Sequence, residues 1–193
     1  YLETGEKLEK PDIEEVKQKY NIPSKTILLG VASVWEKRKG LDDFLLLSKK
    51  ISDDIVIVLV GLSKKQISKL PTKIIGIERT ESKEELAQLY SLADLFINPS
   101  VEETFGLTTV EAMSCGTPVV VYDSTASPEL VTIETGFVVE PHDIVGIKQC
   151  INTICEKGKD GYKLACRQRV LKLFDKDKQN KMYYSLYCDL MQN

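Results

Sequence analysis

Glu103 and Glu111 stand in an E-x7-E spacing around a Phe105-Gly106 turn. That turn opens a short helical stretch, which Gly116-Thr117-Pro118 closes before a buried apolar run. Gly106 lets the main chain come close to a ligand, and the amides of Leu107, Thr108 and Thr109, free at a helix start, point at an anion. The helix dipole favours negative charge at that end, so a diphosphate fits there. Glu111, more than one turn inside the helix, is placed to accept two hydrogen bonds from a vicinal diol such as a ribose. Glu103, in the preceding loop, is placed to receive sugar hydroxyls. The bare spacing also describes two solvated acids, with Glu103 serving only the helix dipole. The Glu36-Lys37-Arg38-Lys39 cluster offers cations for phosphate. It equally describes a solvated charged turn.

Positioning these groups requires alternating strands and helices. TILLGVAS (26–33), IVIVLVG (55–61), TKIIGI (72–77), DLFINPS (94–100), VVVY (119–122) and GFVVE (136–140) read as strands. The unbroken β-branched run at 55–61 is that of a strand covered on both faces. Helices are expected at PDIEEVKQKY with Pro11 in the first position, at 41–51, at 63–70, at 82–93 with a Ser82/Glu85 capping box, and at 106–115. From Ile144 to about Gln192 the pattern is helical, interrupted near Gly158–Gly161 and Phe174–Asp175. The alternation predicts a Rossmann-like α/β sandwich with a parallel sheet of about six strands and helices on both faces. Ligands bind such sheets beyond the carboxyl ends of the strands, which selects loops 33–40, 61–65, 76–80, 99–109 and 123–129.

The 193 residues suit one domain, with 1–25 as a lead-in helix and linker and 162–193 as terminal helices. A net charge of −3 disfavours a nucleic-acid partner. Five Cys without a C-x-x-C pair argue against a disulfide framework or zinc site and suggest reduced cytoplasmic thiols. His142, the single histidine, excludes His-pair metal sites and reads as an exposed structural residue. No apolar run reaches the length of a membrane span. There is neither a P-loop nor a G-x-G-x-x-G. Trp35 either flanks the site or packs on the domain. Residues 156–181 hold nine Lys/Arg against four Asp/Glu, a run that is either a solvated face or a contact for anionic lipid. The chain starts at Tyr1 rather than Met, so a longer protein is expected.

The stretch PSVEETFGLTTVEAMSCGTPVV resembles the signature of retaining GT-B glycosyltransferases of the family-4 type (glycosyl transferases group 1). Arg38-Lys39-Gly40 is similar to the family's lysine-glycine step, SPELV (127–131) to its Pro-Glu loop, and GFVVEPHD to a strand end. The likeness covers roughly residues 25–190. It implies that Lys39, with Arg38, grips the diphosphate and stabilises the leaving group. Glu103 then holds the donor sugar, the amides of Phe105, Gly106 and Leu107 lie near sugar and β-phosphate, and Thr108 and Thr109 lie near the phosphates. Glu111 binds the ribose, and the Ile77–Glu78 backbone lies near the base. Two departures stand out. Ser33 occupies the place of a second phosphate-binding arginine, and Ser124-Thr125-Ala126 replace glycines, so that loop is expected to approach the donor less closely.

The resemblance implies a nucleotide-sugar donor, no cofactor and no metal. It also implies an N-terminal acceptor domain absent from this chain, without which the chain binds donor and transfers nothing. The implied setting is bacterial surface-polysaccharide assembly, in the cytoplasm or peripherally at the inner membrane face. Two alternatives stay open: half of a GT-B nucleotide-sugar epimerase, and a non-catalytic nucleotide- or partner-binding subunit of a split transferase.

Overall fold

The computed structural model describes residues 13–191, so Pro11 and the start of the first expected helix lie outside the described residues. Six strands form one all-parallel sheet in the order β3-β2-β1-β4-β5-β6. They are β1 (Thr26–Val31), β2 (Ile55–Val60), β3 (Ile74–Ile77), β4 (Leu95–Asn98), β5 (Val119–Tyr122) and β6 (Gly136–Val139). Every residue of β2, β4 and β5 is buried, as expected of strands sandwiched between two helical layers. The helices group accordingly. α2 (Leu41–Ser48) packs on α7 (Ile144–Lys157), while α5 (Leu107–Ser114) packs on α4 (Lys83–Leu92) and α8 (Asp160–Leu173). α1 (Ile13–Lys19) lies on α4. The short helices α3 (Lys64–Ile67) and α6 (Ser127–Leu130) follow β2 and β5, and α9 (Lys176–Met191) ends the described chain. The sheet is thus Rossmann-like, as the alternating pattern indicated.

Local signals account for most helix ends, with one difference. Ser82 caps α4 by accepting from the Glu85 amide at 3.1 Å. The Glu85 carboxylate does not return the bond to Ser82. It accepts from Lys19 Nζ at 2.6 Å, from the Tyr20 hydroxyl at 2.9 Å and from the Glu81 amide. A nearly buried carboxylate needs charged or strong partners: one oxygen takes the lysine and phenol at the α1 end, and the other takes the Glu81 amide, one residue before the cap. The full capping box forms instead at α3, between Ser63 and Gln66.

The basic run at 156–181 is partly consumed inside the fold. Lys159 Nζ donates to the Ser91 and Ala93 carbonyls at 2.6 and 2.7 Å, closing the end of α4. Arg169 donates to the Leu130 and Glu129 carbonyls at 2.5 and 2.7 Å, tying α8 to α6. Trp35 is a packing residue: it is buried, donates from Nε1 to the Val60 carbonyl at 2.9 Å and meets Phe44 edge-to-face. His142, with a positive φ of 65°, contacts buried Asp43 at 3.0 Å and so joins the turn after β6 to α2. No helix among the described residues is long and apolar enough to cross a membrane.

Candidate functional site

The strand order reverses direction at β1 and β4, so the turns leaving these two neighbours diverge and open a crevice at their carboxyl ends. Both chemistry-bearing loops leave from there. The first runs past exposed Ser33 to a 3-10 turn, Lys37–Lys39, and Gly40. The second runs from Pro99 to Gly106 and into α5. They are seated on each other. The Val101 amide donates to the Arg38 carbonyl at 2.9 Å. Gly40 takes a left-handed φ of 75°, and a Cβ there would fall 2.4 Å from the Pro99 carbonyl oxygen. Gly40→Ala is therefore expected to cost about 2 kcal/mol, from a backbone clash added to left-handed strain. Urea unfolding checks this by its midpoint.

Lys39 and Glu103 meet across the crevice. Lys39 Nζ lies 2.8 Å from Glu103 Oε2, with side chains 20% and 15% exposed. At such partial burial a charged pair is screened less than on an open surface. Arg38 differs: its guanidinium turns outward to Glu36 at 2.9 Å and is 45% exposed, so only its carbonyl joins the two loops. The sequence does not show this direction, because Glu36 competes for the guanidinium from two residues away.

At Gly106 the chain again enters the left-handed region, with φ 80°, and starts α5 without any side-chain cap. The first-turn amides of Leu107 and Thr108 are directed along the helix axis with no intrahelical acceptor. Thr109 is a correction to the expected set of free amides. Its N–H donates to the Gly106 carbonyl at 3.0 Å, and its fully buried hydroxyl accepts from the Asn98 side-chain Nδ2 at 3.1 Å. Thr109 therefore locks α5 to the end of β4, whereas Thr108 remains part-exposed. Phe105 is exposed beside the turn and meets Phe174 edge-to-face at 5.5 Å.

Glu111 is exposed on α5, but its carboxylate is not free to wander: buried Tyr90 of α4 donates its hydroxyl to Oε2 at 2.9 Å. Burial, with Glu111 beside it, holds the Tyr90 phenol well above its ordinary value, so Tyr90 stays a donor throughout the neutral range. The sequence offered only Tyr90's helical spacing as a signal. Tyr90→Phe keeps the ring contact with Phe96 and is expected to cost about 1 kcal/mol, read by denaturant unfolding.

At the far side, the buried Ile77 closes β3 with its carbonyl already accepting the Gly61 and Leu62 amides at 2.9 and 3.2 Å. Of that expected pair, the exposed Glu78 is the accessible one. The loop after β5 contributes Ser124 and Thr125, whose hydroxyls meet the Val101 carbonyl and the Glu103 amide. The described residues contain no cluster of three or more His, Cys, Asp or Glu able to hold a metal ion.

This arrangement combines two loops, an open helix N-terminus and two fixed carboxylates at a parallel-sheet switch point. A family model described as glycosyl transferases group 1 matches residues 12–169. The chain belongs to this family. It is 36% identical over 107 residues to alpha-galactosylglucosyldiacylglycerol synthase of Streptococcus pneumoniae, covering 50% of this chain and 28% of that protein. Over 64 residues it is 47% identical to O-antigen chain mannosyltransferase B of Escherichia coli, covering 33% of this chain and 16% of that one. Its fold matches Anabaena HepE, solved in complex with UDP-glucose, with TM-score 0.79 and 21% identity over 92% of this chain and 52% of HepE. The chain thus spans less than a third of these curated relatives and about half of that structure. Its sheet is that of the C-terminal domain of a GT-B glycosyltransferase.

Proposed function

We propose that this domain binds a nucleoside diphosphate sugar at the crevice between β1 and β4 and presents it for transfer with net retention. The observation that carries the reading is the Lys39–Glu103 pair at 2.8 Å beside the uncapped start of α5. It places a cation, a carboxylate and helix amides within one small region. A diphosphate needs the first and last of these, and a sugar needs the second.

Lys39 and the Leu107 and Thr108 amides take the diphosphate and stabilise the charge that grows on it as the glycosidic bond breaks. Arg38 adds to this by exchanging Glu36 for phosphate. Glu103 accepts from sugar hydroxyls, Glu111 accepts from the ribose diol, and the Glu78 backbone borders the base. No metal is needed, because fixed protein cations and dipoles do the metal's work on the leaving group. The acceptor comes from a second, N-terminal domain, and this chain by itself binds donor without transferring it.

The relatives named for a glycolipid and an O-antigen chain support a role in bacterial surface-polysaccharide or glycolipid assembly at the inner membrane face. Calorimetric titration with UDP, GDP and ADP tests the reading. Selective binding of one diphosphate is expected, and binding of none of them overturns it.

A further inference from the structure

Among the described residues, the non-glycine ones at positive φ are Asn21, Thr125 and His142, and of these only Thr125 is β-branched. Its φ of 50° lies in the left-handed region, where a β-branched side chain crowds its own backbone. Thr125 is also exposed, so no core packing offsets that strain. Glycine would take the conformation freely. A strained residue kept at a ligand crevice points to a local task.

The task is visible in its contacts. The loop carrying Thr125 is anchored to the sheet: the Asp123 amide donates to the Val139 carbonyl at 2.7 Å and the Ser124 amide to the Tyr122 carbonyl at 2.8 Å. From this anchor two hydroxyls reach across to the loop after β4. Ser124 Oγ donates to the Val101 carbonyl at 2.5 Å, and Thr125 Oγ1 accepts the Glu103 amide at 2.9 Å. Glu103 is therefore gripped at both ends, its N–H by Thr125 and its carboxylate by Lys39. Releasing the N–H would let the 103–105 segment, beyond the Val101 anchor, shift relative to the sheet, and the carboxylate would shift with it.

We infer that Thr125 is a positioning residue for the sugar subsite: its strained backbone aims a hydroxyl at the Glu103 amide and so sets where the Glu103 carboxylate meets the sugar. This rests on the donor-site reading above. It assigns to Thr125 a discrimination between a nucleoside diphosphate and its sugar ester, because Glu103 touches only the latter.

Three forms of the chain test it: wild type, Thr125→Gly and Thr125→Ser. Each is titrated with UDP, UDP-glucose, GDP and GDP-mannose, and each melting temperature is measured. In Thr125→Gly we expect a melting temperature unchanged or raised, unchanged diphosphate affinity, and about tenfold weaker binding of the sugar nucleotide, the loss of one charge-linked hydrogen-bond geometry. Thr125→Ser keeps the hydroxyl and is expected to stay within about twofold of wild type. Equal weakening of diphosphate and sugar nucleotide in Thr125→Gly would reduce Thr125 to a general brace and overturn the inference. Unchanged binding of both would overturn it too. If wild type binds none of the four, the donor-site reading falls first and this one with it.

Discussion

Lys39→Ala is expected to weaken nucleoside diphosphate binding by about 10²-fold, more than the removal of an ordinary surface lysine. Two losses add. A charge-assisted contact to phosphate is worth about 1.5–3 kcal/mol. The same substitution strips Glu103 of its partner at 2.8 Å, leaving a carboxylate only 15% exposed next to the incoming phosphate. That unpaired carboxylate repels the ligand as well as costing stability. A double variant, Lys39→Ala with Glu103→Gln, removes the repulsion and is expected to recover about tenfold of the diphosphate affinity. Calorimetric titration of the four corners of this cycle gives the coupling directly. Additive effects would mean that Lys39 acts on phosphate without reference to Glu103.

Glu111→Gln is expected to weaken binding of a ribonucleoside diphosphate by about 30-fold, by removing the charge that strengthens two hydrogen bonds to the ribose diol. Glutamine is the informative replacement because it leaves an acceptor for Tyr90, whose hydroxyl lies 2.9 Å away in a buried position. Glu111→Ala would orphan that hydroxyl and add an unfolding cost of about 1–3 kcal/mol to the binding loss. The separation is measured by titrating a 2′,3′-dideoxy diphosphate alongside the ribo form. Wild type should prefer the ribo ligand, and Glu111→Gln should bind both alike. If the preference survives in Glu111→Gln, the ribose is held elsewhere.

The sheet was legible because its signals are short-range. The IVIVLV run of β2 can be buried on both faces only in a covered parallel sheet. The Gly106 start and Gly116 end of α5 follow from glycines that the structure holds at φ 80° and 77°. The loops holding Lys39 and Glu103 were also readable, since each follows a strand. The contacts between them were not. Lys39 and Glu103 lie 64 residues apart, and Tyr90 and Glu111 lie 21 apart. Such pairings depend on rotamers and helix placement that no local pattern encodes. The same holds for Thr109, whose hydroxyl accepts from the Asn98 side chain at the end of β4. The Arg38 guanidinium pairs with Glu36 two residues away, and Glu85 takes Lys19 and Tyr20, contacts that the local pattern does not single out. Ser124 and Thr125 stand where the resemblance expects glycines, and their hydroxyls tie that loop to the Glu103 segment, a contact that the sequence does not show.

The central seam of the sheet has a dynamic consequence. β1 is in register with β2 along its whole length, Thr26 to Val31, but with β4 only at Leu28–Leu95 and Leu29–Phe96. The ligand crevice thus sits above the shortest ladder in the molecule, between two three-stranded halves. Local opening follows where few backbone bonds must break. Native-state hydrogen exchange should therefore show amides of β1–β3 and of β4–β6 exchanging as two cooperative units. A ligand spanning Lys39 and Glu111 would staple the halves, bringing their opening free energies together.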